Sequence, residues 1–121
     1  MKIKFFYAAL VLFFMSIFLN SCSKSDNALP TIKFSQSEGT ANAQGEYTLT
    51  GSIHSDVRLD KVILTKEGVS APFLIDDSTA KNKNDYNFTY LITGITSNTY
   101  MIVDVYNQDN GKSTFRFLIR K

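Results

Sequence analysis

The chain of 121 residues has no tryptophan, one histidine, one cysteine and two prolines. Each scarcity excludes something. A lone cysteine, Cys22, closes no internal disulfide. A single imidazole, His54, without further His or thiol partners, cannot assemble the nitrogen and sulfur ligands of a zinc site. The absence of tryptophan removes the flattest side chain on which a sugar ring stacks. Charge is nearly balanced, thirteen Lys and Arg against eleven Asp and Glu, so there is no concentrated basic face of the kind that grips nucleic acid. There is no Gly-rich phosphate loop and no Ser-centred nucleophile elbow. No apolar run reaches the roughly 20 residues that a membrane-spanning helix needs.

What is present starts at the N-terminus. Lys2 and Lys4 precede "FFYAALVLFFMSIFL" at 5–19, and two cations before a short apolar run form the first two regions of an export signal. The next four residues, Leu19-Asn20-Ser21-Cys22, resemble the lipobox of bacterial lipoproteins. Leu19 and Ser21 match that pattern, while Asn20 stands where Ala, Ser or Thr is more usual. The resemblance implies cleavage between Ser21 and Cys22 and acylation of Cys22, whose thiol is consumed. Buried lipid methylenes contribute about 0.8 kcal/mol each, so two or three acyl chains hold a protein on a bilayer. The implied partner is the membrane itself, and the implied location is the bacterial outer membrane, with its periplasmic and cell-surface faces both open.

This reading divides the chain into a signal peptide at 1–21, a lipidated cysteine and tether at 22–30, and one small domain at 31–121. With Lys2 and Lys4 set aside, the thirteen basic side chains become eleven and equal the acidic ones. Residues 23–30 are short and polar. The remainder suffices for a single core.

That remainder reads as strands. "EYTLTGSIHS" at 46–55 sets Tyr47, Leu49, Gly51 and Ile53 on one face and Thr48, Thr50, Ser52 and His54 on the other. "TIKFS", "LDKVILTK", "APFLID", "YNFTYLIT", "TYMIVDVYN" and "STFRFLIR" alternate in the same way. Period-two alternation rich in β-branched and aromatic residues marks half-buried antiparallel strands. Core expectations are Val62 and Leu64, then Tyr86, Phe88, Tyr90 and Ile92, then Met101, Val103 and Val105, and finally Phe115, Phe117 and Ile119. Asp109-Asn110-Gly111 signals a tight turn. Gly68 and Gly94 punctuate strand ends, and Pro30 opens the domain where a missing N–H does no harm. The polar stretch 76–85 reads as a mobile crossing loop.

About seven short strands joined in this way predict an all-β fold, a single immunoglobulin-like antiparallel sandwich. The segment 94–119 resembles the last two strands of such domains in outer-membrane lipoproteins, on Gly94, Tyr100, Asp109 and Gly111. The resemblance implies a tyrosine corner at Tyr100 and little about activity.

The search for chemistry returns few candidates. His54 falls on the predicted solvent face, with no catalytic partner assigned. Asn107, Asp109 and Asn110 lack the leading aspartate and closing glutamate of a calcium loop, so the turn reading stands. Asp76 and Asp77 read as a solvated acidic loop. Tyr106 and Phe73 are the aromatics not claimed by the core and are the candidate ligand contacts. Asn87-Phe88-Thr89 is a formal sequon, but Phe88 belongs to the core. Asp77-Ser78-Thr79 resembles a short bacterial O-glycosylation motif, which points to Ser78. No catalytic residue, metal ligand or cofactor is expected. The functional expectation is a membrane-anchored, non-enzymatic binding or spacer module beside envelope proteins, with an accessory glycan-binding lipoprotein as the alternative.

Overall fold

Alternation becomes sheet throughout. The computed structural model describes residues 28–121, so the cleavage and acylation calls at Ser21 and Cys22 lie outside the described residues. Eight strands follow in order: β1 (Thr31–Phe34), β2 (Gly39–Thr40), β3 (Tyr47–His54), β4 (Leu59–Lys66), β5 (Leu74–Asp76), β6 (Asp85–Ile92), β7 (Thr99–Asn107) and β8 (Lys112–Arg120). They form two sheets, β1-β3-β6 and β2-β8-β7-β4-β5. All pairings are antiparallel except β2 with β8. Among the described residues there is no helix. This is the expected all-β sandwich.

The register turns every expected inward row toward the core, though Tyr47, Tyr86 and Phe115 are only half-buried against it. Leu49, Ile53, Val62, Leu64, Phe88, Tyr90, Ile92, Met101, Val103, Val105, Phe117 and Ile119 are buried, joined by Leu59 and Ile95. A one-residue slip would turn each of these rows to solvent, which is why the pairing is strongly specified. Phe117 of the second sheet meets Phe34 and Tyr47 of the first, at ring-centroid separations of 4.9 and 5.8 Å. Phe88 stacks on Tyr90 at 5.3 Å. The contacts of Phe117 with Phe34 and Tyr47 lock the two layers beyond simple area burial.

Three features differ from the sequence expectations. The extra strand, β2, has two residues, too few to show alternation. Gly39 admits it, because a Cβ there would run into the ring of Tyr47. Tyr100 is not a tyrosine corner: it lies on the outer face of β7, 37% exposed, with the Arg116 guanidinium 4.1 Å from its ring centroid. The period-two pattern forces this, because Met101 and Val103 take the inward positions.

The third difference is the stretch 76–85, which is tied down rather than mobile. Asp76 is buried, not solvated. Its Oδ1 accepts the main-chain N–H groups of Ser78, Thr79 and Ala80 at 3.3, 2.9 and 3.3 Å. Its Oδ2 accepts the hydroxyls of Thr79, Tyr90 and Tyr86 at 2.6, 2.8 and 3.1 Å. Because β5 and β6 belong to different sheets, this carboxylate staples the open side of the sandwich.

The two ends of the domain are opposed. The chain enters at Pro30, whose carbonyl accepts the Ser113 hydroxyl at the start of β8. It finishes β8 at the far end, where the Lys121 N–H reaches Asn98 Oδ1 and its ammonium reaches the Asn42 carbonyl. The nine residues of β8 put roughly 27 Å between the two ends at about 3.4 Å per residue.

Candidate functional site

The outer face of the three-stranded sheet carries mostly polar side chains, with Leu91 exposed near the end of β6. Alternation that sends Ile53 and Phe88 inward sends Ser52 and Asn87 outward. Two cross-strand rows result. Lys33 pairs with Ser52, which pairs with Asn87. Ser35 bonds to Thr50 through the main chain, and Thr50 pairs with Thr89. These six side chains surround a shallow hollow of about 440 Å³, with Phe34, Gly51 and Phe88 beneath it. Gly51 is required there, because an added Cβ would lie 2.5 Å from the Lys33 carbonyl and 2.6 Å from the Phe88 ring.

One row further along, His54 pairs with Asp85. Its Nδ1 lies 2.7 Å from the Asp85 carboxylate and its Nε2 lies 3.2 Å from Asp56. The hydrogen bond to Asp85, then that to Asp56, raises the imidazole pKa. The ring is exposed, as its place on the solvent face predicts. Among the described residues no group of three or more His, Cys, Asp or Glu side chains is arranged to hold a metal ion.

The sequence-derived ligand candidates are not brought together. Tyr106 is on the outer face of the five-stranded sheet, where Lys61 and Lys112 place their ammonium groups 5.0 and 5.6 Å from its ring centroid. Phe73 precedes the edge strand β5, packs partly against the core and carries Lys66 at 4.9 Å. Each aromatic thus has a cation over it. Ser78 is exposed, while the neighbouring Thr79 hydroxyl already donates to Asp76. Asn107 shapes the turn it begins, since its Oδ1 accepts the N–H groups of Asp109 and Gly111 at 3.0 and 2.8 Å, and Asn110 takes the positive φ of 64°.

Sequence reasoning missed Asp76 and the hollow. The signal for Asp76 was available in principle, because an aspartate two and three residues before Ser78 and Thr79 invites an Asx-type cap. Its tyrosine partners come from sheet packing and have no local signature. Burial alone would raise the Asp76 carboxyl pKa. The hydrogen bonds from Thr79, Tyr90 and the main chain of Ala80 and Thr79 outweigh it and hold the group at about 2. Burial and the same carboxylate push the Tyr90 phenol well above its ordinary range.

No protein-family model and no curated protein matches the chain. Solved structures do. A structure of the Clostridium thermocellum CbhA fibronectin(III)-like modules superposes with a TM-score of 0.53 at 16% identity, covering 76% of this chain and 46% of that one. The fold is fibronectin(III)-like. At this identity the likeness speaks for the fold alone, and the present chain spans less than half of the longer one.

Proposed function

We propose that the protein is a lipid-anchored, non-catalytic binding or spacer module of the bacterial envelope. The observation that carries this reading is the opposition of the two ends of the fibronectin(III)-like domain. The chain enters beside Ser113 and completes β8 beside Asn98, so the domain sets its far end about 27 Å from its point of attachment. Support for the anchor comes from Lys2, Lys4, the apolar run and Leu19-Asn20-Ser21-Cys22. The eight residues 23–30 form a tether that extends at most about 27 Å.

The test uses the full chain and Cys22→Ser in a Gram-negative host. The expected outcome is that the wild-type protein partitions into detergent and begins at an acylated Cys22 by mass spectrometry, while Cys22→Ser retains its signal peptide without acyl chains. A wild-type protein cleaved elsewhere and free of lipid refutes the anchor.

The second reading, a glycan-binding accessory lipoprotein, is favoured by the polar hollow over β1, β3 and β6. Ser78, exposed beside an already bonded Thr79, is the hydroxyl proposed for O-glycosylation.

A further inference from the structure

We propose that the hollow over β1, β3 and β6 binds a short neutral glycan segment, an inference that rests on the glycan-binding reading and gives it a site. The first support is hydrogen-bonding capacity. The side chains of Lys33, Ser35, Thr50, Ser52, Asn87 and Thr89 line one concavity. Among the described residues none of these six makes a side-chain hydrogen bond or ion pair, whereas Thr31, Thr79, Ser113 and Thr114 are all engaged. Four hydroxyls and one amide both donate and accept, which is the pairing that a sugar's own hydroxyls require.

The second support is shape. Three strands about 4.8 Å apart and a two-residue step of about 6.7 Å give a footprint near 10 by 7 Å, which suits one or two sugar rings. The volume of about 440 Å³ falls in the usual range of ligand sites.

The third support is what the walls withhold. The rim of the hollow is polar, the rings of Phe34 and Phe88 are confined to its floor, and Leu91, the exposed apolar side chain of this face, lies one row beyond Thr89. Lys33 is the only cation, and the Asp85 and Asp56 carboxylates stand one row away on His54. A polyanion therefore meets compensated charge and gains little there. Recognition is by hydrogen bonds and not by stacking, since Tyr106 and Phe73 lie elsewhere under lysines.

The test is an array of neutral and acidic oligosaccharides probed with the detergent-solubilised full chain. The variants are Ser52→Leu and Thr50→Val in the hollow, Lys33→Gln at its rim, and Tyr106→Ala and Phe73→Ala outside it. Thermal melts of each variant confirm folding. The expected result is binding to neutral oligosaccharides that falls at least tenfold in Ser52→Leu, falls severalfold in Thr50→Val, and changes less than threefold in Tyr106→Ala and Phe73→Ala. Binding lost in Tyr106→Ala or Phe73→Ala but kept in folded Ser52→Leu overturns the site while leaving the glycan reading standing. No binding to any oligosaccharide overturns both. Binding confined to acidic oligosaccharides and abolished by Lys33→Gln overturns the neutral-ligand assignment.

Discussion

Replacing Asp76 with Asn tests whether one carboxylate holds the two sheets together at their open side. The group accepts six hydrogen bonds, three on each oxygen. Its folded pKa of about 2, against an ordinary value of 3.8, corresponds to roughly 2–3 kcal/mol of preference for the charged form in the native state. Asn keeps the size and loses the charge. Its NH₂ must then face either three N–H donors or three hydroxyls that have to reverse their roles, and the remaining donors are left poorly paired. A loss of about 3 kcal/mol at pH 7 is expected, or about 12–20 °C in melting temperature for a domain of this size. The pH dependence carries a definite sign. A lowered folded pKa contributes stability that is present above the unfolded value near 4 and is lost as pH falls toward 2. Wild type and Asp76→Asn should therefore converge on acidification, to within about 1 kcal/mol at pH 2. Urea melts from pH 7 to pH 2 provide the measurement. A variant that matches wild type at pH 7, or a deficit of the same size at both ends, refutes the staple.

Two further outcomes follow from the same geometry. Phe117→Ala, which removes a ring 2% exposed between Phe34 and Tyr47, should cost about 3–5 kcal/mol in a urea melt. Arg116→Ala, which loses only an exposed Glu67 pair and the Tyr100 ring, should cost less than about 1 kcal/mol, and the reverse order would mean the strand is inside out. The His54 imidazole, raised chiefly by its hydrogen bond to Asp85, should titrate above 6.5 by NMR and fall back further in Asp85→Asn than in Asp56→Asn. Its stabilising effect is present below pH 6.5 and fades as pH rises through the folded pKa, so an unchanged midpoint in Asp85→Asn contradicts the pairing.

The parts of this fold that could be read in advance are those where chemistry repeats every two residues. β3, β6, β7 and β8 each announce their inward rows, because a buried row of Leu, Ile, Val and Phe must alternate with polar neighbours. Edge and turn elements were legible where a single residue type forces the backbone, as at Gly68, Gly94 and Asn110. What escaped reading depends on partners distant in sequence. Asp76 looks like any loop aspartate until Tyr86 and Tyr90 arrive from the other sheet, 10 and 14 residues on. Tyr100 resembled a corner residue by local motif, yet Met101 beside it claims the core and turns Tyr100 outward. The hollow was hidden for a different reason. Serine, threonine and asparagine on the outer face of a strand are ordinary one at a time, and only the registers of β1, β3 and β6 align five of them, with Lys33, in two rows.

The position of that hollow also bears on how an anchored protein would present it. It lies on the flank of the sandwich and at neither end, since its two rows fall in the middle of β3 and β6. The row beside it, Thr31, His54 and Asp85, lies at the end where the chain enters from the proposed tether. A domain standing on Cys22 would therefore hold the hollow sideways, within a few residues' rise of its attached end. A tether of at most about 27 Å allows the domain to tilt until that flank faces either along the membrane or away from it. Shortening 23–30 to three residues cuts this reach to about 10 Å. Capture of a surface-immobilised glycan by cells should then drop while binding by the solubilised chain is unchanged. Equal loss in both assays would place the tether within the binding site itself, contrary to a hollow built from β1, β3, β6 and Ser35.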